Sequence, residues 1–505
     1  MTQRLYEVDL QGGLARLSKH DDLLRRLNKH IGAPTYLVGG PVRDALLGRE
    51  SDDTDVVSIG DEETMSRFEK SGAKRTMTDF PVFSHPDFPG VDVAFGRSEK
   101  KTAPGHTGFS YDLAKDLGTD LARRDFTINS MAYHPDKGIV DPLGGMEHLK
   151  SGILSANSAH FMEDPVRILR GARFAAQLGM DPDENTRMLM KGGASELHTE
   201  PKERVRGEFE KALKAPHPDK FFKTLAGSNA IDHWFPEIGK LQDTPAGPEK
   251  YHPEGSAFNH TMLALRAAAD MGHSPKSRLF TLAHDTGKAE TDKAIWPKQT
   301  GHEDITQPAV DMVSRLGFDK GTVKDVSTHI LNHMTPHGSQ RPGMVGHRPG
   351  TVVDYLGRVK RIFEPHMQSV EADASGKGTG PIAHPYADNY RKLYDVYKTA
   401  GNEPDLSLEQ RRQARSNALS SAMKKEVAEA IEEAEDFEAH QAKLAAARKE
   451  RAKARQYEKN RQLGRKPVKY ATNVDWSVLK RDKKTEENVD EYGNLIEEIV
   501  RTITG

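Results

Sequence analysis

Residues 36–57 read "YLVGGPVRDALLGRESDDTDVV". The stretch opens as a buried strand and breaks at Gly39 and Gly40. It then runs Arg43 and Asp44 into "ALLG" and soon presents Asp52, Asp53 and Asp55. In an extended chain, side chains two apart share a face. Asp53 and Asp55 are therefore expected to point together, with Asp52 turned away. Two carboxylates on one face repel unless a cation sits between them. Mg2+ is the natural occupant, being hard, oxygen-seeking and usually completed by substrate phosphates. Gly39 and Gly40 let a phosphate approach the backbone closely, and Arg43 can neutralise it. Asp92, in the strand-like "VDVAFGR" (91–97), is the candidate third carboxylate of a two-metal site. In such a site one metal activates an attacking hydroxyl and both stabilise a five-coordinate phosphorus. Taken alone, "GG" or "DTD" reads more readily as a turn followed by a solvated acidic loop.

The flanking sequence extends this unit. Leu14, Leu17, Leu24, Leu27 and Ile31 recur at helical spacing and predict one amphipathic helix over 14–31. "TYLVGG", "DTDVVSIG" and "VDVAFGR" are strand candidates. Residues 98–120 are polar and read as a mobile loop. From Phe161 onward helical patterns dominate, in "DPVRILRGARFAAQL", "PKERVRGEFEKALKA", "SAFNHTMLALRAAADM" and "KSRLFTLAHDTG". A mixed α/β domain followed by all-helical domains is the simplest architecture. Pro/Gly-rich residues 241–256 mark one expected boundary, and "TAGNEPDLS" (399–407) marks a softer one.

Composition sets outer limits. A length of 505 residues fits about three or four domains. Lys and Arg number 73 against 75 Asp and Glu, so any nucleic-acid surface must be local. Cysteine is absent, which excludes disulfides and thiolate metal sites and fits a reducing compartment. No signal-peptide pattern and no run of about 20 apolar residues is present. The expectation is a cytoplasmic protein without a membrane partner. Nothing in the sequence sets an oligomeric state.

Two further motifs complete a known pattern. "LARRDFTINSMAY" (121–133) and "EDPVRILRGARF" (163–174), with "GGPVRDALLG" and "DTD", closely resemble the class II tRNA nucleotidyltransferase and poly(A) polymerase family over roughly residues 34–240. The resemblance implies an α/β nucleotidyltransferase head with a palm-like sheet, followed by a helical neck. By the same resemblance Asp53 and Asp55 hold the Mg2+ ions. Gly40, Arg43 and Arg124 contact nucleotide phosphates or ribose, and Arg170 and Arg173 help place the triphosphate. Asp164 and Arg167, three apart, are expected as neighbours on one helix face. A carboxylate beside a guanidinium offers an acceptor next to donors. Such a pair can accept cytosine and adenine and refuse uracil and guanine, which matches the family's use of the motif. A surface ion pair is the plainer reading.

The second half carries His260 in "YHPEGSAFNHTM", His284 and Asp285 in "LAHDTGK", His302 in "GHED", His333 in "NHMTPH" and Asp373 in "EADASG". Imidazoles and carboxylates without cysteine suit a divalent ion such as Mg2+, Ni2+, Mn2+ or Co2+. The arrangement resembles the HD phosphohydrolase superfamily. That implies His260, His284, Asp285 and Asp373 as primary ligands, with His302 and His333 able to hold a second metal.

Head, neck and HD motifs in this order resemble the bacterial CCA-adding enzymes that carry an HD domain. The implied partition is a head over 1–160, a neck over 161–240, an HD domain over 241–400 and a charged extension over 401–505. The implied activity is addition of CCA to the 3' end of tRNA from CTP and ATP, with phosphatase and 2',3'-cyclic phosphodiesterase activity in the HD part. A poly(A) polymerase, an enzyme adding only CC or only A, an HD phosphohydrolase with a degenerate head and a noncatalytic RNA scaffold are the alternatives. The extension is read as a polar helical or disordered tail. Its segment "KLAAARKERAKARQYEKNRQLGRKPVK" (443–469) carries eleven Lys/Arg against two Glu. It is either a solvated tail or an arm for RNA phosphates.

Overall fold

The computed structural model describes residues 8–51, 54–77, 80–102, 108–337, 348–378 and 387–425. They gather into two compact units. Residues up to 331 and 364–378 form one; 332–337, 348–363 and 387–425 form the other. Asp52, Asp53 and the basic segment 443–469 lie outside the described residues.

The first unit begins with two helices, Leu10–Leu17 and Asp21–Ile31, separated by a 3-10 turn at Ser18–His20. Leu17, Leu24, Leu27 and Ile31 are buried, whereas Leu14 is exposed. The single helix expected over 14–31 is thus corrected: the tighter turn at Ser18–His20 divides it into two helices. Gly32 ends the second helix at φ +76°, its N–H bonding the Asn28 carbonyl at 2.9 Å.

The head is built on strands β1 (Thr35–Val38), β2 (Asp55–Ser58), β3 (Lys74–Arg75), β4 (Val82–His85), β5 (Phe88–Phe95), β6 (Arg97–Lys101), β7 (Phe109–Leu113), β8 (Ala132–His134) and β9 (Gly138–Val140). Seven of them form one sheet in the order β3-β4-β5-β2-β1-β8-β9. Only β2 and β5 pair in parallel within it, and the helix Glu62–Lys70 lies in the crossover between them. β6 and β7 form a separate antiparallel ribbon. The mobile loop expected over 98–120 is therefore corrected. "RSEKK" has no apolar alternation to announce a strand, yet its backbone pairs from Arg97↔Leu113 to Lys101↔Phe109. The Arg97 guanidinium anchors the ribbon over the Phe80 ring, 4.2 Å from its centroid.

Helices follow the head. Val166–Leu178 packs against Pro218–Gly227 and Lys202–Lys214, around a cluster of Phe209, Phe221, Phe222 and Phe235. Ala257–Asp270, Pro275–Ala283, Gln307–Arg315, Lys320–Ile330 and Phe363–Ala374 come next. The Pro/Gly-rich stretch 241–256 is stitched into this unit. The Ala257 N–H bonds the Thr244 carbonyl at 2.7 Å, and buried Lys288 donates to the Ala246 carbonyl at 2.7 Å.

The second unit contains the helices Pro349–Val359 and Ala387–Thr399, and residues 408–425 are helical as well. Tyr355 and Tyr390 are fully buried edge to face at its centre. Among the described residues no helix is long and apolar enough to cross a membrane.

Candidate active sites

The first site sits on the head sheet. Asp55 opens β2 and Asp92 lies within β5; the two are register partners in the parallel pair. Both are exposed, while their neighbours Val56, Val91 and Val93 are buried. Adjacent strands run about 4.8 Å apart, so two carboxylates stand side by side on one sheet face. These hard, accessible oxygens fit Mg2+.

At the end of β1, Gly39 adopts φ +75°, ψ −126°, a conformation that glycine alone takes without strain. A Cβ there would meet Arg124 Nη1 at 3.3 Å, so the turn and Arg124 are close neighbours. Arg43, on the helix Gly40–Leu46, donates Nε–H and Nη2–H to Asp44 at 2.9 and 2.8 Å, and a third donor reaches Asn129.

Arg124 is itself held. Asp120 accepts Arg123 on one oxygen at 2.8 Å and Arg124 on the other at 3.0 Å. Burial alone would raise the Asp120 carboxyl; Arg124 and Arg123 outweigh it and hold it at about 2. Asp125 is likewise buried. Burial is overcome there by Arg170, 2.8 Å away, and by a hydrogen bond from Asn129, and the carboxyl stays well below its usual range.

The helix Val166–Leu178 brings further arginines to the same region. Arg43, Arg170 and Arg173 place their guanidinium groups 5.2, 5.6 and 4.0 Å from the Phe174 ring centroid. Arg173 is also ion-paired with Glu208. Asp164 and Arg167 are not paired side by side, which corrects the expected helix-face pair. Asp164 precedes the helix in extended backbone, at φ −117° and ψ 104°, so helical three-residue spacing does not apply to it. Its carboxylate accepts the Val166 N–H at 3.2 Å and faces Arg204 at 3.7 Å. Arg167 is buried and donates to the carbonyls of His160 and Arg123 at 3.0 and 2.9 Å. Asp120, Asp125, Asn129, Phe174 and Arg204 escaped the sequence reading. Asp125 and Asn129 stand inside "RRDFTIN" and Phe174 closes "RGARF", so motif membership was the available signal.

The second site lies among the helices of the same unit. His260 comes from Ala257–Asp270, His284 caps the C-terminus of Pro275–Ala283, Asp285 follows it, and Asp373 comes from Phe363–Ala374. His260 Nε2 and His284 Nε2 lie 2.8 and 3.5 Å from the same Asp373 oxygen, and His284 Nε2 lies 3.2 Å from Asp285. Ligand atoms of His260, His284 and Asp373 are all within 4.8 Å of one another. His284 Nδ1 is 2.7 Å from the Thr281 carbonyl and His260 Nδ1 is 2.8 Å from Glu254. Such outer contacts turn Nε2 toward the cluster, as they do in metal sites.

Burial would lower the His284 imidazole, but Asp285 and Asp373 push it up to about 10. The same negative field attracts a dication, and a His/His/Asp/Asp donor set suits one. His302 Nε2 is 3.3 Å from the second Asp285 oxygen. His333 belongs to the second unit. Lys288, 2.7 Å from Asp285, and Glu254 were not anticipated, though Lys288 ends the quoted "AHDTGK".

Known proteins are similar to this chain in sequence and in fold. The poly A polymerase head domain model matches residues 35–155, and the model described as a probable RNA and SrmB-binding site of polymerase A matches residues 179–241. A multifunctional CCA protein of Methylococcus capsulatus is 37% identical over 385 residues, covering 73% of this chain and 88% of its own. One from Nitrosococcus oceani is 38% identical over 370 residues, covering 71% and 89%. The fold is similar to that of the Bacillus stearothermophilus CCA-adding enzyme in complex with CTP, at TM-score 0.54 and 18% identity over 82% of this chain and 94% of that one. It is also similar to the Thermotoga maritima CCA-adding enzyme complexed with tRNA, at TM-score 0.53 and 18% identity over 83% and 98%.

Proposed function

This chain belongs to the family of bacterial multifunctional CCA proteins, and on that premise we propose that it adds C, C and A to the 3' end of tRNA from CTP and ATP. The observation that carries the reading is the Asp55–Asp92 register pair beside the Gly39 turn and Arg124. The terminal ribose hydroxyl attacks the α-phosphorus, a new phosphodiester forms, and pyrophosphate leaves. Asp55 and Asp92, with Asp53, would hold Mg2+. When bound, the metal lowers the hydroxyl's pKa and neutralises charge on the phosphorus.

The chain's own residues do the positioning. The Gly39–Gly40 backbone, Arg43 and Arg124 receive the phosphates and ribose. Arg170 and Arg173 orient the triphosphate, their planes set by Asp125, Glu208 and the Phe174 ring. Asp164 and Arg167 read the base edge. Head chemistry is assigned to residues 1–160 and base reading to 161–240.

We assign to residues 241–400 a metal-dependent phosphatase and 2',3'-cyclic phosphodiesterase. His260, His284, Asp285 and Asp373 would hold a divalent ion, Mg2+, Ni2+, Mn2+ or Co2+, which supplies an activated water when bound. His302 and Lys288 fix the Asp285 carboxylate.

The test offers tRNA lacking its CCA end with each nucleoside triphosphate, separately and in pairs. Extension by three nucleotides with CTP and ATP together, and by two with CTP alone, is expected. Long ATP-only tails on unrelated RNA would instead mark a poly(A) polymerase.

A further inference from the structure

The helix Phe363–Ala374 carries more than Asp373. His366, Ser369 and Asp373 recur along it at intervals of three and four residues, so they lie along one face. Asp373 ends that stripe in the second site. His366 and Ser369 are sealed in the core, where polar groups are costly unless hydrogen-bonded.

Each meets a polar partner on another helix. Ser369 Oγ lies 3.1 Å from Thr281 Oγ1 on Pro275–Ala283 and 3.2 Å from His329 Nε2 on Lys320–Ile330. His329 Nδ1 lies 2.8 Å from His366 Nδ1, one ring donating its hydrogen and the other accepting. The His329 ring stacks on Phe280, with 4.7 Å between centroids and 9° between planes. None of Thr281, Ser369, His329 and His366 is more than 1% exposed. Together they make a continuous polar seam through three helices.

The seam runs directly beneath the second site. Thr281 stands three residues before His284, whose backbone is still helical, and Ser369 stands four before Asp373. Three to four residues make one turn, roughly 5 Å along the axis. The hydroxyl contact at 3.1 Å and the His284–Asp373 contact at 3.5 Å are therefore successive rungs between the same two helices. A fully buried, directional hydrogen bond fixes the helices in one register, which an apolar contact does not. A metal site tolerates only about 0.2 Å in its ligand distances, so that register decides how well His284 and Asp373 can share an ion.

We propose that the Thr281–Ser369 rung, braced by His329 and His366, is a positioning device that sets the His284–Asp373 separation for a divalent ion. This rests on the metal-site reading above.

The experiment uses the full chain with Thr281→Val, which keeps the shape and removes the hydroxyl, and with Thr281→Ser, which keeps the hydroxyl and removes a methyl. Co2+ is titrated by calorimetry and by its visible absorption, in excess Mg2+ to occupy the oxygen-lined head site. Thr281→Val should bind Co2+ about tenfold more weakly, the lower end of the loss from an outer partner, with an altered absorption band. Thr281→Ser should bind as wild type does. A packing role predicts the reverse order, and that result overturns the proposal. Ser369→Ala cuts the same rung from its other side, and wild-type affinity in that variant overturns the proposal as well. Combined with Thr281→Val it should lose no more than the weaker-binding single variant; additive losses would show two independent effects and no rung. Wild type that binds no Co2+ removes the metal-site reading itself, whereas wild type that binds it with every variant unchanged removes only the rung.

Discussion

Asp55 and Asp92 are partners across the single parallel strand pair of the head sheet, exposed on one face and set among buried valines. Like charges at strand spacing repel, and that repulsion is the signature of a cation site. Asp92→Asn should lower nucleotide addition by at least about a hundredfold, the upper end of the loss from removing even an outer-shell partner. Hydrolysis of 2',3'-cyclic AMP should persist, since it draws on other ligands. The variant's melting temperature without divalent ions should equal or exceed wild type, because a repulsion is gone. Addition at wild-type rate would remove Asp92 from the metal site.

The Asp120 fork yields a pH prediction. Its folded value is about 2 against an ordinary 3.8. A carboxyl depressed on folding stabilises the fold above its unfolded value and loses that stabilisation as pH falls through the folded one. Asp120 therefore contributes fully above about pH 4 and progressively less toward pH 2. Asp120→Asn leaves Arg123 and Arg124 without their shared partner, which costs about 3–5 kcal/mol for a buried pair. Urea unfolding should show that deficit at pH 7, shrinking between pH 4 and 2. A deficit independent of pH would mean the loss is one of packing.

What was legible in the sequence was local. Strand alternation around Asp55 and Asp92 needs only neighbouring residues, and it located both. The carboxylates that orient the arginines were not legible. Asp125 reaches Arg170 across 45 positions, and sequence spacing carries no record of such a meeting. The polar ribbon β6–β7 was missed because its strands are held by backbone pairing and by Arg97 over Phe80, and not by a buried stripe. In the second site, the resemblance to the HD phosphohydrolases pointed to His260, His284, Asp285 and Asp373, which the fold brings together. Glu254 and the Thr281 carbonyl, which aim the imidazoles, needed the fold.

Those aiming contacts can be tested directly. Glu254 stands 2.8 Å from both His260 Nδ1 and His252 Nδ1. Glu254→Gln keeps the shape but removes the charge that strengthens His260 as a ligand. Metal affinity, read by calorimetry with Mn2+ or Ni2+, should fall about tenfold to a hundredfold. CCA addition in Mg2+ should not change. Undiminished affinity would show that His260 is oriented by its helix alone.

Base selection is the last test, and the separation of Asp164 from Arg167 sharpens it. Arg167 is locked by two carbonyls, one of them Arg123's in the head motif, while Asp164 faces Arg204. If Asp164 and Arg167 read the base, the planar guanidinium must stay where those carbonyls fix it. Lysine keeps the charge but cannot reproduce that fork. Arg167→Lys should then relax the preference for CTP and ATP over UTP and GTP. A lost hydrogen-bond partner in a desolvated pocket costs roughly 1–3 kcal/mol, about tenfold to a hundredfold in selectivity. Arg204→Gln should relax it less, since it only frees the Asp164 carboxylate to rotate. The measurement is incorporation of each nucleotide by variants that remain active on CTP. The reverse order, with Arg204→Gln losing selectivity and Arg167→Lys keeping it, would make Asp164 and Arg204 the reading pair and Arg167 a strut between neck and head.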